Sequence, residues 1–334
     1  MQFNNDERDE IENVSFKRPH FVLIGAGVSR AAFPNGDKNG NKLPLMDDFV
    51  EVLNIGSLLE GNNINYKGAN FEVIYSEIHK SHNTELLFQI EEIVYRYFSK
   101  LELPEKPTIY DHLVLCLRPK DVIATFNWDP FLYDACLRNH NKMSMPKIFF
   151  LHGNVRIGYC IDDWMKGLNG TICKRCGKPL RKSKLLYPIE NKNYNDNEFI
   201  KAEWDAIKRY LSDAYVFTIF GYGAPQSDVE AIKLLKQGWG NKYQRNLEQV
   251  EVIDIKVEDE LRNLWDPFIH THHYDIYTDF YDSIIANHPR RSCEAVWEAK
   301  MELGYLDNYK IPKELNFDEF QKWLQPRIDY EKPK

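Results

Sequence analysis

Three short stretches constrain this chain more than anything else in it: Phe21-Val-Leu-Ile-Gly-Ala-Gly-Val-Ser29, Thr125-Phe-Asn-Trp-Asp129 and Phe149-Phe-Leu-His-Gly153. Each continues an apolar run of strand length, so Gly25, Gly27, Asn127, Asp129 and His152 are expected where strands end. In an open α/β sheet, that edge is where ligands bind. Apolar runs at residues 121–125, 147–151, 214–220 and 250–255 are mostly separated by helical patterns. This alternation predicts an α/β fold with a mainly parallel, doubly wound, Rossmann-like sheet.

The first stretch has a physical reading of its own. Gly25 and Gly27, with Ala26 between them, let the backbone turn sharply and come close to a pyrophosphate, and the N–H groups opening the next helix favour an anion. A strand-to-helix turn that simply packs tightly needs the same small residues, so the turn alone does not decide. Asn127 and Asp129 could equally form an Asx turn, and His152 could be a hydrogen-bonded core histidine. Convergence of all three on one crevice is the sharper expectation.

As an ordered triple, Gly25-Ala-Gly-Val-Ser29, Thr125-Phe-Asn-Trp-Asp129 and Leu151-His-Gly153 resemble the SIR2 (sirtuin-like) superfamily, whose members run Gly-Ala-Gly-Ile-Ser, Thr-Gln-Asn-Ile-Asp and Leu-His-Gly. The resemblance spans residues 18–256 and implies an NAD-binding domain. It implies that Gly25, Ala26, Gly27 and Ser29 hold NAD+, that Asn127 positions the nicotinamide ribose or a water, that Asp129 holds the carboxamide, and that His152 is the general base. A second glycine turn, Gly221-Tyr-Gly223-Ala-Pro-Gln-Ser-Asp228, matches the position that lines the adenosine side in this family. Related prokaryotic members carry a serine where Gly223 stands. Ser227 and Asp228 read as helix caps there. Asp254, ending an apolar strand, is placed either to accept from the adenine ribose or to be an exposed strand-end acid.

Residues 154–190 interrupt the alternation and predict a small inserted lobe. Cys173-Lys-Arg-Cys176 has the spacing that lets two thiolates meet one ion. Sirtuins place two such pairs here; this chain has one, preceded by Cys160-Ile-Asp-Asp163. Zinc accepts oxygen from Asp, so Cys160, Asp163, Cys173 and Cys176 are expected to make a closed structural Zn2+ site, the alternative being a decayed lobe with free thiols. A redox pair is disfavoured, because this Cys-x-x-Cys follows Gly-Leu-Asn-Gly-Thr and not a strand. Cys116, Cys136 and Cys293 are scattered and make no disulfide framework.

Residues 33–42 form a Pro/Gly/Asn-rich loop expected to lie over the ligand as a lid. Residues 47–100 carry helical periodicity, as in Leu86, Ile90, Ile93, Val94 and Tyr97, and read as an inserted set of helices. Residues 257–334 read as a mostly helical C-terminal extension outside the nucleotide core. Its aromatics, including Tyr274, Tyr277, Phe280, Tyr281, Trp297, Tyr305, Tyr309 and Trp323, suit either packing on the sheet or an interface.

The formal charge of −7 argues against a broad nucleic-acid surface, although Lys174, Arg175, Lys178, Arg181, Lys182 and Lys184 form a local basic patch. No apolar run approaches the ~20 residues of a membrane span, and the first 19 residues are polar, with no signal-peptide core. The cytoplasm is the expected compartment.

Departures from the family pattern bear on activity. Deacylating sirtuins continue into Gly-Ile-Pro-Asp-Phe-Arg, whereas this chain runs Ala31-Ala-Phe-Pro-Asn-Gly-Asp and reaches Leu43-Pro-Leu-Met-Asp-Asp-Phe49. That longer loop looks like the SIR2-like proteins of bacterial antiphage systems. The resemblance thus implies an NAD+ hydrolase that yields nicotinamide and ADP-ribose, restrained by a separately encoded partner or by self-assembly into a homo-oligomer. An NAD-dependent protein-lysine deacylase and a non-catalytic subunit that binds NAD or ADP-ribose stand as the alternatives.

Overall fold

The strand that leads into Gly25 is apolar after His20, free of proline and buried along its whole length, as a strand covered on both faces must be. The protein is described by a computed structural model over residues 5–140, 143–189, 194–225, 228–241, 243–269, 272–302 and 309–332. Its strands are β1 (His20–Ile24), β2 (Val122–Thr125), β3 (Lys147–Phe150), β4 (Ile157–Cys160), β5 (Met165–Leu168), β6 (Arg181–Lys182), β7 (Val216–Phe220), β8 (Gln249–Ile253) and β9 (Tyr274–Tyr277).

Six of these form one sheet in the order β3-β2-β1-β7-β8-β9, and every neighbouring pair is parallel. Chain order runs outward from β1 to β3 on one side and from β7 to β9 on the other. The crevice beyond the ends of β1 and β7 is therefore the point where the winding reverses. The doubly wound α/β expectation is met.

The helical insert forms as its periodicity requires. In Thr84–Ser99, Leu86, Ile90, Val94 and Phe98 recur every fourth residue and are all buried. Burying each such side chain contributes about 1.5–3 kcal/mol. Asn83 caps this helix, its side chain accepting from Leu86 N at 3.1 Å. Phe71–Lys80 is capped in the same way by Asn70. β4, β5 and β6 make a separate three-stranded antiparallel sheet within the small lobe, in the order β5-β4-β6.

The segment after residue 257 includes the helices Glu258–Trp265, Ser292–Trp297 and Phe317–Asp329. It also supplies β9, the sixth parallel strand, paired with β8 from Val250↔Tyr274 to Ile253↔Tyr277. Phe280 is buried and stacks on Phe220 of β7 at 5.7 Å between ring centroids. Arg290 and Arg291, both buried, bind Glu331 at 2.6 and 2.9 Å and hold the last helix to the body. Tyr305 lies outside the described residues. Among the described residues, no helix is long and apolar enough to cross a membrane.

Candidate functional site

A cleft of about 840 Å³ opens at the carboxyl ends of β1, β2, β7 and β8. Its walls include Gly25, Ala26, Gly27, Ser29, Asn127, Asp129, His152, Gly221, Gly223 and Asp254. The residues expected for catalysis and cofactor binding from five separate parts of the sequence thus face one cavity. Its size is that of a small-molecule or cofactor site.

The glycines are explained first by packing. Gly27 N donates to Gly221 O at 2.9 Å, and Gly25 N to Phe220 O at 3.0 Å. A Cβ on Gly25 would stand 2.6 Å from Gly221 O, and one on Gly27 would stand 2.6 Å from Gly221 Cα. Gly221 itself has φ +59, a left-handed conformation that costs other residues about 1–2 kcal/mol. The loops after β1 and β7 are interlocked backbone to backbone. Val28 N also donates, to Gly25 O at 3.1 Å. Two N–H groups of the first helical turn, those of Gly27 and Val28, are consequently engaged within the protein, which leaves this helix start a smaller anion site than the sequence suggests. By contrast, a Cβ on Gly223 would meet nothing within 4 Å.

The floor is a polar knot. Ser29 Oγ donates to Asp129 Oδ2 at 2.6 Å and meets the Tyr110 hydroxyl at 2.7 Å. Asn127 Nδ2 reaches Gly25 O at 3.0 Å, and Ser29 Oγ and Tyr110 OH at 3.2 Å each. Asn154 Nδ2 donates to the Asp129 carbonyl at 2.6 Å, supporting the loop that carries both residues. Burial pushes the Asp129 carboxyl up to about 6, with Ser29 and the Phe131 amide opposing. Tyr110 is raised well above 10 by burial and by the nearby Asp129 charge, so it is a neutral hydroxyl.

His152 is 5% exposed, with Nε2 3.0 Å from the Tyr194 hydroxyl and 3.8 Å from Asp228 Oδ1. Phe126 packs its ring against the imidazole, centroids 4.6 Å apart. Gly153 beside it has φ +76, and a Cβ there would lie 2.0 Å from Lys184 O, because the chain returning from the small lobe passes over it. The glycine of the third stretch is needed for that crossing.

Several expectations turn out differently. Residues 33–42 do not line the cleft; Leu43, Pro44, Leu45 and Met46 do. The loop is folded away because Asp37 accepts from Asn39 N at 2.9 Å, Asn41 N at 2.8 Å and Glu102 N at 2.9 Å. It is pinned to the chain beyond the helical insert and is no lid. Ser227 lies outside the described residues. Asp228 occupies the cap position of the helix Val229–Trp239 but makes no side-chain cap bond. Its carboxylate turns instead to Tyr222 and His152. Asp254 lines the cleft, its Oδ1 accepting from Lys256 N at 3.1 Å. Thr278, Asp279, Phe280, Tyr281 and Lys313, from the C-terminal segment, form part of the wall.

In the small lobe, Cys160, Asp163, Cys173 and Cys176 bring their ligand atoms within 4.8 Å of one another. Cys160 Sγ lies 3.5 Å from Cys176 Sγ and 3.8 Å from Asp163 Oδ2, and Cys173 Sγ lies 3.2 Å from Asp163 Oδ2. Ligands bound to one tetrahedral zinc at about 2.0–2.3 Å stand roughly 3.3–3.8 Å apart. Donor set and spacing both fit a structural zinc.

No protein-family profile matches the chain, and no curated protein does. Among solved structures it is similar to one reported as a structural basis for the mechanism and regulation of Sir2 enzymes, at 13% identity over 89% of this chain and 99% of that one, with a TM-score of 0.41. A structure on sirtuin substrate affinity is 16% identical over 89% and 100% of the two chains, TM-score 0.41. A Sir2 homolog–NAD complex is 15% identical over 89% and 95%, TM-score 0.36.

Proposed function

We propose that this protein is a SIR2-like NAD+ hydrolase that cleaves the nicotinamide–ribose bond to give nicotinamide and ADP-ribose, acting in the cytoplasm in bacterial antiphage defence. The observation that carries the reading is the convergence of Asn127, Asp129 and His152 with the two glycine turns around one cleft. The resemblance of the three stretches supplies the chemistry.

Breaking this bond leaves positive charge on the ribose, so the site must hold the departing base and shield the cation. Asp129, fixed by Ser29, grips the carboxamide. Asn127 fixes the ribose or the water. His152 takes the proton of that water as its oxygen bonds to C1′, and the C1′–N electron pair leaves on nicotinamide. Positioned proton transfer of this kind contributes about 10²–10⁴-fold. Zinc has no part in these steps; held by Cys160, Asp163, Cys173 and Cys176, it would tie the small lobe together.

A protein-lysine deacylase is the second reading, and the four-ligand cluster favours it, because a metal-held small lobe can frame an acyl-peptide cleft beside the nucleotide site. Incubation of purified protein with NAD+, with and without an acyl-lysine peptide, followed by chromatography, separates the two. Nicotinamide and ADP-ribose without peptide are expected. Peptide-dependent acyl-ADP-ribose would establish the deacylase, and binding without turnover would leave a binding subunit.

A further inference from the structure

We propose that Asp228 is a positioning residue for His152, orienting the imidazole and holding a negative charge beside it, a role that rests on His152 being the general base. Asp228 is 2% exposed at the cap position before the helix Val229–Trp239, yet its side chain makes no cap bond. Burying a carboxylate costs several kcal/mol unless it is well bonded. Here Oδ2 accepts the Tyr222 hydroxyl at 2.9 Å, and the Tyr194 hydroxyl bonds to the same carboxylate. Tyr194 also meets His152 Nε2 at 3.0 Å, and Asp228 Oδ1 lies 3.8 Å from that nitrogen.

Rings complete the clamp. Phe126 packs edge-on to His152 and stacks on Tyr222 at 4.1 Å, while the Tyr194 ring lies nearly parallel to the imidazole at 5.7 Å. The imidazole is thus held by its aromatic neighbours and tethered through Tyr194 to a fixed carboxylate. Other charges act from farther out: Glu230 on Tyr194, and Glu72 on Tyr222. Asp129 lines the same cleft.

The consequence is electrostatic. When the water's oxygen bonds to C1′ and its proton passes to His152, the imidazolium forms next to Asp228; the proton then leaves to solvent, and Asp228 gains none. An opposite charge within about 4–6 Å favours the charged form of a group. Asp228 therefore makes His152 a stronger base, and its loss weakens that base without altering the groups that hold NAD+.

The test follows the His152 ring protons by NMR across pH, assigned by their absence in His152→Ala, alongside the pH dependence of kcat/KM for NAD+. In Asp228→Asn the His152 midpoint is expected to fall by about one pH unit or more, the acid limb of kcat/KM to move down with it, and kcat to drop roughly tenfold with KM little changed. Tyr222→Phe keeps the charge but removes a hydrogen bond that disperses it, so the midpoint should rise; this variant decides if Asp228→Asn does not fold. Unmoved midpoints in the folded variants overturn the proposal even if wild type hydrolyses NAD+. Shifted midpoints in a protein that never turns over NAD+ would uphold the pair and reject the hydrolase.

Discussion

The Ser29 hydroxyl donates a 2.6 Å hydrogen bond to Asp129 Oδ2, tying the helix after β1 to the loop after β2 beneath the cleft. Two sequence motifs 100 residues apart are therefore one structural unit. A change at either residue is felt at the other.

Asp129 has a defined effect of pH on stability. Its folded-state value of about 6 stands above the ordinary 3.8, because burial disfavours the charge. The contribution of this group to stability is fully present below about pH 3.8 and is lost as pH rises through about 6, so at pH 7.5 the ionised carboxylate is a net cost. Asp129→Asn should be more stable than wild type at pH 7.5, by on the order of 3 kcal/mol at most, with the gap closing toward pH 4. Urea unfolding at the two pH values measures it. NAD+ turnover should fall at least tenfold.

The interlocked turns separate the glycines by cost. Gly25→Ala should destabilise by about 1–3 kcal/mol, since its Cβ meets backbone that cannot step aside. Gly221→Ala should cost more, having a left-handed φ in addition. Gly223→Ala should stay within about 0.5 kcal/mol of wild type. Thermal denaturation of the three variants checks the order.

Metal content tests the small lobe. About one zinc per chain is expected by elemental analysis of protein purified without chelator. Cys173→Ser and Asp163→Ala should each lose most of it, whereas Asp163→Cys should retain it. A strong chelator should lower the melting temperature of wild type and leave that of Cys173→Ser nearly unchanged.

In cells, expression under a triggering stress or with a candidate partner should deplete NAD+ for wild type and not for His152→Ala. Loss of a positioned base removes about 3–5 kcal/mol of barrier stabilisation, enough to make the difference near total during growth. Equal depletion by both would remove His152 from the mechanism.

Strand ends were legible because a strand buried on both faces is mostly apolar, as β1, β7 and β8 are despite His20, Thr218, Gln249 and Glu251, and the polar cluster that follows announces itself. Asn127, Asp129, His152 and the glycines could therefore be placed on one edge from sequence. Tyr110, Tyr194 and Asn154 could not, since each reads as an ordinary residue until the fold brings it beside the cleft. Asp228 looked like a helix cap because position in sequence does not reveal which way a carboxylate turns. Residues 33–42 had a lid's composition, but Asp37 spends its oxygens fastening that loop elsewhere. β9 was hidden by weak patterning, Tyr-Asp-Ile-Tyr at a half-exposed sheet edge, in a segment otherwise dominated by helices.

That last strand changes how the carboxyl-terminal third can be manipulated. Cutting the chain near residue 259 would not detach an accessory module; it would strip β8 of its outer neighbour and remove Phe280, Tyr281 and Lys313 from the wall of the cavity. Residues of this third form part of the cavity wall themselves, so a change in how they pack against β8 alters the shape of the cleft with no relay through the body of the protein.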